Sequence, residues 1–226
     1  MLKLSLSRTF LATLLLLLIT FPAISHQQQD DRAIHKVVVS KESKQQKEFN
    51  KFRTSYIKQN NESLRKIKKQ SVSSFRMMDG VFTKFGLPKE LKYLAVIESE
   101  MKATAVSPVG AAGPWQLMPE TAQILGLKIT RKYDERTNYY KSTRAAAMYL
   151  RDLHNEFGDW LLVLAAYNGG PGPVYKAIRK SGSRNFWELQ AYLPLETRMH
   201  VKKFIATHYY FEGQVLEGNG MGIAKL

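Results

Sequence analysis

From residue 74 onward, apolar residues recur three and four positions apart, which is the spacing of an amphipathic helix. The first such stripe ends at Gly86, and Pro88 opens the next helix. Further helices are predicted at 119–125, 142–157, 159–167, 173–179 and 196–211. No strand pattern of useful length separates them, and small residues mark two loops, 107–113 and 169–173. The pattern therefore predicts a mostly α domain over residues 74–212.

The amino-terminal residues 1–25 have the order of a secretory signal. Lys3 and Arg8 precede an apolar run, and small residues stand before a cleavage position after Ser25. The run is short for a membrane span, so an uncleaved membrane anchor is the less favoured alternative. We expect an exported protein, periplasmic or secreted.

Two polar segments flank the predicted domain. Residues 26–73 are rich in Lys and Gln and are expected to be a basic, polar linker or solvated helix with little core to join. Residues 213–226 carry several glycines without periodicity and are expected to form a flexible tail.

Charge and cysteine content narrow the choice of partners. The 226 residues include 34 Lys and Arg against 19 Asp and Glu, a formal charge of +15. Export makes nucleic acid an unsuitable partner, so the basic segment 41–69 is expected at most to contact an anionic wall or membrane surface. The chain has no cysteine, so we expect no disulfide and no lipid anchor.

Glu98 is the residue that most suggests catalysis. It shares one face of its predicted helix with Leu91, Leu94 and Ala95, so its carboxyl group is partly removed from water. Apolar surroundings favour the neutral acid, which can protonate a leaving oxygen. Taken alone, however, Glu98 is better explained as a helix-edge residue whose carboxylate reaches solvent or caps a neighbouring backbone group.

Three ordered motifs decide between these interpretations of Glu98. They are the pair Glu98-Ser99, the stretch Gly113-Pro114-Trp115-Gln116-Leu117-Met118-Pro119, and the stretch Ala165-Ala166-Tyr167-Asn168-Gly169-Gly170. With these motifs the sequence resembles the lytic transglycosylases of the goose-lysozyme-like clan, and the region from about 75 to 210 is similar to the membrane-bound murein transglycosylase D type. The resemblance implies a lysozyme-like helical domain with a substrate groove.

The resemblance also implies roles for particular residues. Glu98 matches the single catalytic acid/base of the family, with Ser99 beside it as a supporting residue. Residues matched to substrate binding are Ser107, Gln116, Met118, Tyr167 and Asn168. Glu196 and Arg198 match a late Glu-Thr-Arg element that helps order the site.

Two positions depart from the family pattern. Pro114-Trp115 stands where other apolar residues are common, and His200 stands where the Glu-Thr-Arg element usually continues to a tyrosine. We expect neither to touch Glu98.

The implied reaction cleaves the bond between N-acetylmuramic acid (MurNAc) and N-acetylglucosamine (GlcNAc) in peptidoglycan without water, leaving 1,6-anhydro-MurNAc ends. Most glycosidases need a second carboxylate. One alternative is therefore a hydrolytic muramidase in which Glu196 or Asp134 activates water. Another is a catalytically silent peptidoglycan-binding protein. Scattered histidines give no metal-ligand spacing, and we expect no metal and no cofactor.

Overall fold

The computed structural model describes residues 44–213 of the chain. Its α-helices are α1 (Lys44–Gln70), α2 (Val72–Phe85), α3 (Tyr93–Ser99), α4 (Pro119–Ile124), α5 (Tyr139–Phe157), α6 (Trp160–Gly169), α7 (Pro171–Ser181), α8 (Phe186–Leu189) and α9 (Leu195–Glu212). Short 3-10 helices lie at Lys89–Lys92, Glu135–Thr137 and Gln190–Tyr192. Within residues 44–213, extended backbone pairs only as isolated bridges. The prediction of a mostly α fold is confirmed.

Helix α6 is the centre of the domain. Its residues from Trp160 to Ala166 are all buried, as is usual for a helix that is apolar on every side. The side chain of Asp159 caps its first turn by accepting from the backbone N–H of Leu162 at 3.0 Å. Helices α5, α7 and α9 pack around it. The last turn of α6, which carries Tyr167 and Asn168, is therefore held in a fixed place.

Two expectations are wrong for helix α1. Its residues do join the core, although 26–73 were expected to have little core to join, and the folded domain begins before residue 74. Phe49, Leu64 and Ile67 are buried, and α1 packs along α9. The ring of Phe49 meets that of Trp187 edge-on, with centroids 5.6 Å apart. The apolar stripe of α1 is narrow, and the many Lys and Gln side chains on its other faces hid it. The compact unit begins at Lys44.

The prediction of a loop at 169–173 is also wrong, because most of these residues belong to helices. Helix α6 ends at Gly169, and α7 begins at Pro171, so only Gly170 separates the two helices. Proline suits the first turn of a helix, where its missing N–H would have no partner. The other predicted helices appear within a few residues of the expected bounds, and the short α8 was not predicted.

The signal peptide predicted at 1–25 lies outside the described residues, as do the rest of the linker up to 43 and the tail from 214. Across residues 44–213, no helix combines the length and the apolar character that crossing a bilayer requires.

Candidate active site

Glu98 lies in the last turn of α3, at the edge of the core. Its side chain is 14% exposed, whereas Leu91, Leu94 and Ala95 on the same face are fully buried. This is the arrangement that the stripe predicted. The carboxyl group is therefore largely enclosed, yet it keeps a face that a ligand can reach.

His200 touches Glu98, which corrects the expectation that this departure lies away from it. Nε2 of His200 lies 2.8 Å from Oε1 of Glu98, across the contact between α9 and α3. The imidazole is 9% exposed. Its Nδ1 is buried and has no hydrogen-bond partner among the described residues. The sequence did carry a signal, because His200 shares the apolar face of α9 with Thr197, Val201 and Phe204, as Glu98 does on α3.

Tyr167 lies close enough to Glu98 for the two side chains to interact electrostatically. Its hydroxyl donates to the carbonyl oxygen of Trp115 at 2.7 Å. Burial raises the pKa of Tyr167 well above the usual range, and the negative charge of Glu98 raises it further. Tyr167 therefore keeps its proton at any physiological pH and can offer only its oxygen lone pairs to another group.

The end of α3 is fixed by the hydroxyl of Ser99 and followed by two residues of unusual backbone conformation. Ser99 is buried, and its hydroxyl lies 3.0 Å from the carbonyl oxygen of Pro114 and 3.2 Å from that of Ala95. The next two residues, Glu100 and Met101, have positive φ angles of 53° and 64°. A non-glycine residue in this region costs about 1–3 kcal/mol, and such residues cluster at functional sites.

The loop between Ala105 and Leu117 forms a wall next to the α3 end. Gln116 has a φ of 47°, and its side-chain nitrogen donates to the carbonyl oxygens of Gly113 and Ala105 at 2.9 and 3.2 Å. Both amide hydrogens are thus used, which leaves the Gln116 carbonyl oxygen as an acceptor. The Ser107 hydroxyl oxygen accepts from the backbone N–H of Ala111 at 3.0 Å. Ser107 therefore braces the loop from within.

Arg136 stabilises the loop between Ala105 and Leu117 by hydrogen bonds, a role that the sequence did not reveal. Its Nη1 donates to the carbonyl oxygens of Gly110 and Leu117 at 2.7 and 2.9 Å. Its Nε and Nη2 donate to both carboxylate oxygens of Asp134 and hold the pKa of that group below its usual range. A Cβ on Gly113 would collide with the Arg136 carbonyl oxygen, so Gly113, at φ 81°, admits no side chain.

The remaining candidate residues, Met118, Asn168, Glu196 and Arg198, lie on different elements. Met118 is 38% exposed just before α4, and Asn168 is half-buried in the last turn of α6, so both present surface to a ligand. Glu196 is exposed in the first turn of α9. Arg198 lines a separate cleft with Glu48, Trp187 and Lys202. Within the Glu-Thr-Arg element, Thr197 is the residue that contacts α6, and His200 one turn later reaches Glu98.

The proposed second carboxylates are engaged elsewhere or exposed. Asp134 uses both oxygens on Arg136, and Glu196 is exposed in the first turn of α9. Among residues 44–213, no three His, Cys, Asp or Glu side chains are grouped as metal ligands would be.

Comparison with known proteins identifies the domain. Residues 83–190 match the family model described as the Transglycosylase SLT domain. Over 132 residues the chain is 43% identical to the membrane-bound lytic murein transglycosylase D of Escherichia coli strain K12, a match that covers 56% of this chain and 29% of that protein. A transglycosylase of the Enterobacteria phage PRD1 is 37% identical over 83 residues, which cover 37% of this chain and 29% of that protein.

Solved structures agree with this match. The 70 kDa soluble lytic transglycosylase of Escherichia coli superposes with a TM-score of 0.55 at 25% identity, over 61% of this chain and 24% of that one. An inactive variant of the lytic transglycosylase Slt from Pseudomonas aeruginosa superposes over the same shares, with a TM-score of 0.52 and 25% identity.

The fold and the enclosed Glu98 define a lysozyme-like helical domain built around an acidic residue. Residues 83–190 match the transglycosylase SLT family, so this part of the chain is similar to the catalytic domains of that family. It spans less than a third of the length of the transglycosylase D that it matches.

Proposed function

We propose that this chain is a lytic transglycosylase that cleaves the β-1,4 bond between MurNAc and GlcNAc in peptidoglycan, with Glu98 as its acid/base. The observation that carries the proposal is the enclosure of Glu98, which lies at the end of α3 in contact with His200 and near enough to Tyr167 to raise the pKa of that tyrosine. One positioned acid of this kind contributes about 10²- to 10⁴-fold to a rate.

The proposed reaction needs only one carboxyl group. Glu98 donates its proton to the glycosidic oxygen as the bond from that oxygen to C1 of MurNAc breaks, and the N-acetyl group of the same sugar stabilises the positive charge. Glu98, now a carboxylate, accepts the proton of the 6-hydroxyl while that oxygen bonds to C1. The product carries a 1,6-anhydro ring, and Glu98 regains its proton.

We assign supporting roles from the contacts described above. The Gln116 carbonyl oxygen, Met118 and Asn168 are proposed to contact the sugars, because each presents free surface or a free acceptor. Tyr167 is proposed to fix the reacting sugar beside Glu98. Ser99 and Ser107 are proposed to act indirectly, because their hydroxyls brace the wall of the site.

A hydrolytic muramidase remains the principal alternative, with Asp134 or Glu196 activating water. The engagement of both Asp134 oxygens with Arg136 disfavours it. Digestion of purified peptidoglycan separates the two reactions when soluble muropeptides are compared with newly formed reducing ends. A transglycosylase releases muropeptides without new reducing ends, whereas a muramidase forms one for each bond. A silent binding protein would release nothing.

We further propose that the chain acts outside the cytoplasm, where its substrate lies. The signal-like order of residues 1–25 supports export, and the matched relative from Escherichia coli is named as membrane-bound. Fractionation of cells that express the full chain tests this, and recovery only from the cytoplasm would contradict it.

The exposed face of α1 is proposed to hold the enzyme on the anionic wall. Lys and Arg far outnumber glutamate in this helix, and Lys47, Lys51 and Lys58 are exposed. Attraction between exposed charges weakens as salt screens it. Co-sedimentation with purified sacculi should therefore fall with added salt and with replacement of these three lysines by glutamate. Binding to anionic vesicles but not to sacculi would assign the surface to a membrane instead.

A further inference from the structure

The contact between His200 and Glu98 places a second titratable group against the proposed acid/base. Imidazole is the side chain that changes charge between about pH 5 and 8. At 2.8 Å, any change in its proton count acts directly on the carboxyl group. The inference drawn from this pair rests on the proposed function.

The surroundings of His200 favour one neutral form of the ring. Nδ1 is buried without a partner, and a buried N–H without an acceptor is rarer in proteins than an unpaired acceptor. The proton of the neutral ring therefore belongs on Nε2, which donates it to Oε1 of Glu98. Oε2 of Glu98 is then the oxygen that can exchange a proton with a substrate.

We propose that His200 is a positioning residue for Glu98. Its Nε2–H orients the carboxyl group through the 2.8 Å contact with Oε1. When Glu98 has given its proton to the leaving sugar, the hydrogen bond from Nε2 meets a full negative charge and strengthens. The contact thus stabilises the reacting state more than the resting state.

A second proton on the pair changes this balance. Protonating the His200 ring does not remove the proton from Glu98, because a lower pH cannot reduce the amount of proton bound to either group. The imidazolium does stabilise the Glu98 carboxylate, which makes it a weaker base. Acceptance of the 6-hydroxyl proton then slows, so kcat falls on the acid side of the profile.

Several helices that pack around the contact between His200 and Glu98 carry titratable or charged groups. Glu98 comes from α3, and Tyr167, which keeps its proton, comes from α6. Along α9 itself, Arg198, Lys202 and Lys203 lie within three residues of His200 in the sequence. The groups of α1 that contact α9 include Tyr56, at 3.2 Å from Thr207, and Arg53, which lies over Tyr209. Lys68 of α1 also donates to the carbonyl oxygen of Phe211 at 3.3 Å.

Two replacements of equal size separate positioning from simple packing. His200→Tyr supplies a hydroxyl donor that does not titrate between pH 5 and 8, and His200→Phe supplies no donor. We expect kcat for His200→Phe to be about 10- to 100-fold below that of His200→Tyr, from the loss of one hydrogen bond to a charged group, with similar KM. We also expect the acid limb of the wild-type kcat profile to be absent in His200→Tyr.

A control and a spectroscopic readout complete the test. His154, which stacks on Trp160, serves as the control, because His154→Gln should keep the acid limb. Nitrogen-15 NMR of the wild-type imidazole should show the proton on Nε2, with its proton signal further downfield than in Glu98→Gln. Equal kcat for His200→Phe and His200→Tyr, an acid limb that persists in His200→Tyr, or a proton found on Nδ1 would each overturn the proposal.

The NMR measurement needs no activity and no His200 variant, so it decides the pairing even if both variants fail to fold. If the wild-type protein shows the Nε2 signal and releases no muropeptides, the proposed function fails while the pairing itself stands.

Discussion

Gly169 of α6 packs directly against Thr197 of α9. A Cβ on Gly169 would lie 2.6 Å from the Thr197 hydroxyl oxygen, closer than two such atoms can lie. Thr197 is 2% exposed and belongs to the same helix as His200, three residues earlier. The absence of a side chain at Gly169 therefore lets the helix that carries His200 pack against the last turn of α6.

Gly169→Ala should separate the two helices and lower both stability and kcat. Overpacking of this kind costs about 1–3 kcal/mol in the free energy of unfolding. Gly80→Ala, in α2, is the matched control, because a Cβ there would have no other atom within 4 Å. That change should stabilise the helix by up to about 1 kcal/mol. Urea unfolding measures both, and a Gly169→Ala protein as stable as wild type would show that the helices do not meet so closely.

Arg136→Met should destabilise the loop that carries Gln116. The replacement leaves the Asp134 carboxylate and the carbonyl oxygens of Gly110 and Leu117 without their donor. Removing one partner of a largely buried ion pair costs about 3–5 kcal/mol. The loss should appear in the free energy of unfolding and as a lower kcat in the fraction that remains folded.

An exposed pair of the same chemistry gives the control for Arg136. Arg151 binds Asp152 at 3.0 Å, and its side chain is 46% exposed. Arg151→Met should therefore change stability by less than about 1 kcal/mol. Similar losses in the two variants would mean that the Arg136 contacts add nothing beyond a surface ion pair.

Phe49→Ala tests whether α1 is part of the folded unit. Phe49 is 3% exposed and contacts Trp187, so the change should lower the free energy of unfolding by about 3–5 kcal/mol. The exposed neighbour Lys51 is the control, since Lys51→Ala should stay within about 0.5 kcal/mol of wild type. If α1 were a solvated spacer, thermal melting would not distinguish the two variants.

Stability should fall as the pH is lowered through the usual histidine range because of His208. Burial beside Tyr93 lowers the pKa of His208 below its ordinary value of 6.5. The unfolded chain then binds the proton more readily than the folded one, so the contribution is complete above about pH 6.5 and is lost as the pH falls toward the folded value.

Thermal melting between pH 7.5 and 5 measures this effect. The wild-type Tm should fall more steeply than that of His208→Gln, and His154→Gln should follow wild type. Parallel curves for wild type and His208→Gln would assign the pH dependence to other groups.

The sequence predicted the helices well where one face is apolar and the ends carry glycine or proline. Helix α2 ends before Gly86, and Asp159 caps α6. It failed for α1, because Phe49, Leu64 and Ile67 are sparse among basic and amide side chains, and their burial depends on the distant α9.

The candidate site was predictable where one segment carries the signal. Glu98 stands on an apolar stripe, and the structure encloses it as expected. Contacts made between distant segments were not predictable. The pairing of His200 with Glu98 joins residues 102 positions apart, and Arg136 reaches Gly110 across 26. Periodicity within one helix gives no information about which other helix lies opposite.

The central claim is that Glu98 supplies the proton for a cleavage that consumes no water. Mass spectrometry of muropeptides released from purified peptidoglycan, with and without borohydride reduction, tests it most directly in wild type and Glu98→Gln side by side. The account predicts non-reducible 1,6-anhydro ends from wild type and at least about 10²-fold less release from a folded Glu98→Gln protein. Reducible ends from wild type, or the same anhydro products from Glu98→Gln at a similar rate, would contradict it.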